Sequence, residues 1–340
     1  MAHYRNNRAP MTSTITSTID LDRDGRQTGY LRLPHSVHRS AYGYIPIPIA
    51  SFKNGDGPRV LLMGGTHGDE YEGQVILSNL IRSLKPEQVT GQVILLPMAN
   101  FPAADAGLRT SPLDEGNLNR AFPGDARGTP TAQIAYYIEH VLLPRVDYLF
   151  DLHSGGSSLL YEPTLLISIN DEDRHATIKR ELIGKFGLPF VLLTNRDEYG
   201  GYSSAAALRQ GICSATTELA GGGSVTKGLP ARAGEGLLNV LRHLGIVSGD
   251  ARPVETTPRI FSHESHLFAS ERGLLEPLAE PGEDVVKGQP AALIHQPETP
   301  GRPPIELAFD VDGVILARRQ GARVERGDCL YHLGIDEISM

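Results

Sequence analysis

The chain has 340 residues, 40% of them hydrophobic and 21% charged, with a formal net charge of −8. That size and composition suit one large folded domain with a small companion, and the acidic balance argues against nucleic acid or an anionic membrane surface as the main partner. Two cysteines, Cys213 and Cys329, are too few for a disulfide framework or a cysteine-built zinc module and point to a reducing cytoplasm; no run approaches the roughly 18 apolar residues of a membrane span.

The opening MAHYRNNRAP lacks the apolar core of a secretory signal and reads as a disordered or start-site extension, with residues 1–40 as an N-terminal extension and edge segment. YGYIPIPIA (42–50) predicts an early strand. RVLLM (59–63) runs into Gly64-Gly65 and predicts a buried strand. From Asp69 onward, Ile76, Leu77, Leu80, Ile81 and Leu84 keep helical spacing until Pro86 closes the segment. QVILLPM (92–98) is the next strand, 131–143 is helical, and VDYLFDL (146–152) is strand-like again. TLLISI (164–169), PFVLLT (189–194) and ICSATT (212–217) follow as strands, with helical patterns over 172–186, 203–210 and 231–244. Strands alternating with helices across 41–250 predict an α/β domain whose mostly parallel sheet is covered on both faces.

The pattern changes at ARPVETTPR (251–259), which is polar and Pro-bearing and reads as a linker. Over 256–340, short apolar alternations and Gly-centred turns replace helices. GEDVVKGQ (282–289) is echoed by GARVERGD (321–328), and apolar residues follow each copy. The repeat, with the turn and strand of DVDGVILA (310–317), predicts paired β-hairpin units in a small barrel or sandwich.

In an open α/β sheet, ligands bind beyond the carboxyl ends of the strands. His67 and Glu70 follow the strand 59–63, His153 follows 146–152, and Glu218 follows 212–217. Three strands thus deliver two imidazoles and two carboxylates to one edge, beside glycines that permit tight turns. Two His and one carboxylate form a common ligand set for catalytic zinc, with one position left for water. A further carboxylate that does not ligate is then needed to take the water proton and pass it to the leaving nitrogen, and Glu218 is placed for that. Asp151 is positioned to orient His153, or else packs on the far face of the sheet. Asp69 and Glu70 at a helix start are also read as complements to the helix dipole. Asp69 and Glu72 read as residues that support the ligands from behind or face solvent, and with Asp114 they are also surplus acids that a substrate ammonium could use.

LRTSPLDEGNLNRAFPGD (108–125) is a long polar loop carrying Arg109 and Arg120, with Asn117 and Asn119 beside the second arginine. A guanidinium with a neighbouring amide suits bidentate capture of a substrate carboxylate. The remaining histidines lack ligand-like pairing apart from His35/His38 and His263/His266, and those two pairs read as surface residues in loops.

The motifs GGTHGDE, NLNRAFPG, DLHSGG and TTELAGG, in this order over about residues 40–250, resemble the succinylglutamate desuccinylase/aspartoacylase family. That family is similar to zinc carboxypeptidases in its catalytic fold. The resemblance implies one zinc ion per chain on His67, Glu70 and His153, a catalytic Glu218, and substrate contact by Asn119 and Arg120. It also implies a carbonyl-polarising arginine near Arg109. The C-terminal unit is similar to the small β-domain of the family and to a biotinyl/lipoyl-type barrel half-repeat. It lacks the Met-Lys-Met tip for cofactor attachment and is expected to shape the mouth of the site or an oligomer contact. Within the family, TSTIDLDRDGRQTGYLRLPHS and GTHGDEYEGQ are most similar to the ectoine-degradation branch, which implies N-alpha-acetyl-L-2,4-diaminobutyrate as substrate. The expected activity is therefore hydrolysis of a small N-acyl amino acid, with a homo-oligomer left open. The rivals are deacylation of an N-acetylaspartate- or N-succinylglutamate-type substrate, a metallocarboxypeptidase, and a metal-dependent binding module without catalysis.

Overall fold

In this computed structural model the described residues are 12–170, 173–195, 200–252, 254 and 256–336, so the reading of residues 1–10 lies outside them. The large sheet takes β1 (Thr16–Ser17), β2 (Gly25–Pro34), β3 (Tyr44–Asn54), β4 (Arg59–Gly64), β5 (Gly91–Leu96) and β6 (Tyr148–His153). After β7 (Leu159–Tyr161), which joins another sheet, it continues with β8 (Thr164–Ile167), β9 (Phe190–Leu193), β10 (Cys213–Glu218) and β11 (Arg259–Phe261). The ten strands run in the order β1-β2-β3-β5-β4-β6-β10-β8-β9-β11. The centre β5-β4-β6-β10 is parallel, β8 returns antiparallel beside β10, and β1 to β3 add an antiparallel edge.

Alternation along the central strands divides the core. Val60 and Leu62 of β4 face one layer with Ile76, Leu77 and Leu80 of α1 (Tyr71–Ser83). Leu61 and Met63 face the opposite layer. The first layer also holds α4 (Ala176–Phe186) and α6 (Leu229–His243). The second holds α3 (Pro130–Tyr137) and α5 (Ser203–Arg209), with α2 (Phe101–Ala106) beside β3. Because strand side chains alternate between faces, a one-residue register slip would exchange these two apolar sets, so burial of both faces locks the register. The α/β architecture expected from the sequence, a mostly parallel sheet covered by helices on both faces, is present.

The C-terminal strands form two smaller sheets. They are β12 (His263–Phe268), β13 (Gly273–Pro277), β14 (Asp284–Val285), β15 (Pro290–His295), β16 (Ile305–Ala308), β17 (Gly313–Arg319), β18 (Arg323–Val324) and β19 (Cys329–Ile335). One sheet runs β12-β19-β17-β14 with β7 pairing on β17, and the other runs β16-β15-β13-β18. The echoed motif falls on matching positions: β14 then β15 in the first copy, β18 then β19 in the second. Gly288 and Gly327, at the same place in each copy, both adopt positive φ, at 84° and 91°. Each turn therefore needs a residue free of the Cβ clash.

Two seams join the large sheet to the small ones. β7, which follows β6 closely, is the outlying strand of a small sheet. Tyr161, Leu166, Leu192, Phe261, Val314, Leu316 and Ala317 make a shared apolar cluster. β11 pairs with β9 although it lies beyond residue 256, so the large sheet extends past the point where the composition changes.

Candidate functional site

β4, β6 and β10 are neighbours in the sheet, and their carboxyl ends carry the polar residues picked out above. Register sets Glu218 directly opposite His153. Beyond β6 and β10 the chain turns sharply, and the two turns nearly touch. A Cβ at Gly221 (φ 117°) would stand 2.7 Å from the Cα of Gly155, and one at Gly155 would stand 2.1 Å from the carbonyl oxygen of Leu159. Larger residues at either position would push the His153 and Glu218 loops apart.

Glu70 is the N-cap residue of α1 but makes no capping hydrogen bond. Its carboxylate turns instead to the imidazoles, with Oε1 2.6 Å from His67 Nδ1 and Oε2 2.8 Å from His153 Nδ1. The backbone N–H of Ser154 also donates to Oε2, at 3.1 Å. The helix-dipole account of Glu70 is thus displaced by a specific partner set. The outward nitrogens are held as well. His67 Nε2 lies 3.1 Å from Asn117 Oδ1, and His153 Nε2 lies 3.0 Å from Asp151 Oδ2. Asp151 further accepts from Thr66 and Ser203 at 2.8 and 2.7 Å. Of the two roles weighed for Asp151, the structure gives the one that orients His153.

All three ligand atoms lie within 4.8 Å of one another and the residues are buried. Burial alone would raise the Glu70 carboxyl, yet the two imidazoles hold it well below the usual carboxylate range. Burial also disfavours a charged His153, but Asp151 and Glu70 together push its pKa well above the ordinary histidine value. Two buried carboxylates around one imidazole call for positive charge at this point, and a metal cation bound by deprotonated ligands supplies it. The donor set, Nδ1, carboxylate and Nδ1 with each back nitrogen anchored, fits zinc.

A cavity of about 290 Å³ opens over these groups. His67, Glu70, His153, Glu218, Arg109, Asn119 and Arg120 all line it. Arg109 Nη1 is 3.4 Å from Glu70 Oε1, with a side chain 46% exposed. Asn119 Oδ1 accepts from the Ser203 N–H at 2.9 Å, and its Nδ2 lies 3.3 Å from His153 Nε2. The Arg120 guanidinium stacks 4.3 Å over the Tyr202 ring and donates to the Asn119 carbonyl at 2.7 Å. Asn117 sits differently, its amide oxygen turned to His67.

The surplus acids are bound within the protein, Asp69 and Glu72 in the supporting role weighed for them, and none of the three is among the residues that line the cavity. Asp69 Oδ2 accepts from the Ser157 N–H and hydroxyl at 2.8 and 2.7 Å. Glu72, fully buried, accepts from the Gly221 N–H at 3.1 Å, and burial pushes its carboxyl above the usual range. Asp114 is bound to the Thr131 N–H and hydroxyl, both at 2.8 Å. Asp69 and Glu72 are therefore struts for the loops behind His153 and Glu218.

Sequence reasoning missed Tyr161, Tyr202 and the hydroxyl-bearing Ser158, Ser168, Thr194 and Ser204 of the same cavity wall. These residues carry no motif of their own. The surface-loop reading of His266 fails, since it is half-buried on β12 beside His332. His332 is 2% exposed, and Glu264, His266 and His332 form a second cluster of metal-ligating types. Among the described residues no helix is long and apolar enough to cross a membrane.

The catalytic-domain model of the succinylglutamate desuccinylase/aspartoacylase family matches residues 56–244. An N-alpha-acetyl-L-2,4-diaminobutyric acid deacetylase from Halomonas elongata is 39% identical over 322 residues, 94% of each chain. The product-bound structure of the ectoine utilization protein EutE from Ruegeria pomeroyi has 38% identity and a TM-score of 0.91, with 96% of this chain and 99% of that one covered. A succinylglutamate desuccinylase structure from a Silicibacter species has 38% identity and a TM-score of 0.90, with 96% and 100% covered. These likenesses span both the large sheet and the small ones, and with the His-Glu-His cluster and cavity they identify the chain as a hydrolytic enzyme of the succinylglutamate desuccinylase/aspartoacylase family.

Proposed function

We propose that the enzyme cleaves the amide bond of N-alpha-acetyl-L-2,4-diaminobutyrate, releasing acetate and L-2,4-diaminobutyrate, in the reducing cytoplasm that its cysteine usage suits. The observation that carries this reading is Glu218 opposite His153 in the register, in the same cavity as His67 and Glu70. Likeness to the Halomonas deacetylase and to EutE along nearly the whole chain supports the choice of substrate.

His67 Nδ1, Glu70 and His153 Nδ1 would hold one zinc ion. When bound, zinc supplies a Lewis acid for the acyl carbonyl and acidifies water. Glu218 accepts the proton of the attacking water and returns it to the leaving amide nitrogen, so that the departing group is a neutral amine. Arg109, poised beside Glu70, donates to the oxygen that becomes negative as the carbonyl turns tetrahedral. Arg120 and Asn119 bind the substrate carboxylate. The stacking of Arg120 on Tyr202 and the grip of Ser203 on Asn119 hold both in place. Asn117 is not among the residues that line the cavity and serves the substrate only through His67, whose Nε2 lies 3.1 Å from its Oδ1.

A panel of N-alpha-acetyl-2,4-diaminobutyrate, N-acetylaspartate, N-succinylglutamate and a short peptide with a free carboxyl terminus tests this. The first compound should have the highest kcat/KM. Faster cleavage of the peptide would make the enzyme a carboxypeptidase, and metal binding without turnover on any compound would make it a binding module.

A further inference from the structure

Tyr161 lines the cavity, and its hydroxyl lies 3.0 Å from Nδ1 of His332. His332 stands on β19 of the small sheet, and its Nε2 is 2.8 Å from Glu264 Oε2 on β12. Cross-strand register pairs His266 with His332, and Glu264 is two residues before His266, on the same face. The His266 ring stacks on His332 with centroids 4.5 Å apart and planes 9° apart, fixing the ring that bridges Glu264 and Tyr161. A line of contacts therefore runs from a carboxylate of the small β-unit to the wall of the catalytic cavity.

The proton positions follow from the partners. A carboxylate only accepts, so Nε2 of His332 carries the hydrogen; in the tautomer this selects, Nδ1 is an acceptor and the Tyr161 hydroxyl donates to it. With that hydrogen committed, Tyr161 meets a ligand in the cavity as an acceptor and not as a donor. The nearby acids Asp69, Glu72 and Asp114 are tied to Ser157, Gly221 and Thr131. Glu70 and Glu218 also line the cavity, but the deacylase reading gives both to the catalytic centre, which leaves hydroxyl acceptors such as Tyr161 for a cationic side chain.

We propose that Glu264 and His332 are positioning residues that make Tyr161 an acceptor for the primary ammonium of the substrate side chain. The small β-unit thereby sets side-chain selectivity, an inference that rests on the deacylase reading above. An oxygen that can only accept favours an ammonium and disfavours a carboxylate, so one device serves both attraction and rejection.

The test compares kcat/KM for N-alpha-acetyl-2,4-diaminobutyrate with that for N-acetyl-2-aminobutyrate, which has the same carbon skeleton without the ammonium, using the full-length metal-loaded enzyme. The wild type should prefer the first compound. Tyr161→Phe, which removes one oxygen atom, should lower that preference about tenfold through KM, the scale of a hydrogen bond to a charged group. His332→Phe should lower it by a similar factor, and the double variant should add nothing further. Glu264→Ala serves in place of His332→Phe should that protein not fold. Wild-type turnover with an unchanged ratio in Tyr161→Phe would sink this inference and leave the deacylase reading standing. A ratio that moves in Tyr161→Phe but not in the His332 or Glu264 variants would overturn the role of the small β-unit. Failure of the wild type to turn over any acyl amino acid would remove both.

Discussion

His67, Glu70 and His153 have the same composition as Glu264, His266 and His332, and both sets place their ligand atoms within 4.8 Å of one another. The ring planes of His67 and His153 are inclined by 50° with centroids 5.0 Å apart, whereas those of His266 and His332 are 9° apart and stacked at 4.5 Å. Imidazole lone pairs lie in the ring plane. Inclined planes cross and can share a cation at a Zn–N distance of about 2 Å, but parallel planes this far apart do not meet. The backbone explains the contrast. A cross-strand pair forces side chains to stand side by side, as His266 and His332 do. His67 lies in the loop before α1 and His153 ends a strand, so their rings approach Glu70 from different directions.

Metal content tests the comparison most severely. The wild type should bind one zinc per chain by elemental analysis, and His67→Ala or His153→Ala should lose both the metal and turnover by at least about a thousandfold. His266→Ala should still hold one. A wild-type stoichiometry of two that falls to one in His266→Ala would break the contrast drawn from ring orientation.

Glu218→Ala separates holding the metal from using it. Metal content should stay at one per chain while kcat falls by about 10²- to 10⁴-fold, the usual range for removing a general base. A near-normal rate would place the base elsewhere. Asp151→Asn is the next step down. It weakens the anchor on the back nitrogen of His153, and metal affinity measured by chelator competition should fall about 10- to 100-fold. An unchanged affinity would mean that His153 is oriented by Asn119 and the sheet alone.

Much of the large sheet was legible because buried parallel strands are unbroken apolar runs, as in β4 and β6, and α1 shows its period in Ile76, Leu77 and Leu80. The His-Glu-His set was legible for a related reason: each member follows such a run, and strand ends gather at one edge. Strand β2, next to the edge, was not, since its exposed face alternates through Arg26, Thr28 and Tyr30 without an apolar run. The Glu264–His332–Tyr161 line escaped notice because it depends on the pairing of β12 with β19 and of β7 with β17. A register between strands far apart in sequence leaves no local spacing to read.

The smallest expected effect concerns Glu72, two residues from Glu70 and opposite to it in state. Glu70 is kept ionised by two imidazoles, whereas burial raises the Glu72 carboxyl above its ordinary value of 4.5. Between that ordinary value and the raised one, the folded state holds a proton that the unfolded state has released. Stability therefore falls as pH rises through this window and is fully retained only below it. Gln at this position keeps an oxygen for the Gly221 N–H, which now binds Glu72 Oε1 at 3.1 Å, and has nothing to titrate. Thermal melting of the zinc-loaded protein between pH 4.5 and 8 should show a shallower decline in Glu72→Gln than in the wild type, with the two curves differing by about 2 °C at the upper end. Parallel curves would mean that Glu72 ionises as freely in the folded chain as in the unfolded one. The Gly221 loop would then rest on a charged strut, and the contrast between the two glutamates would reduce to one of partners without a difference in charge.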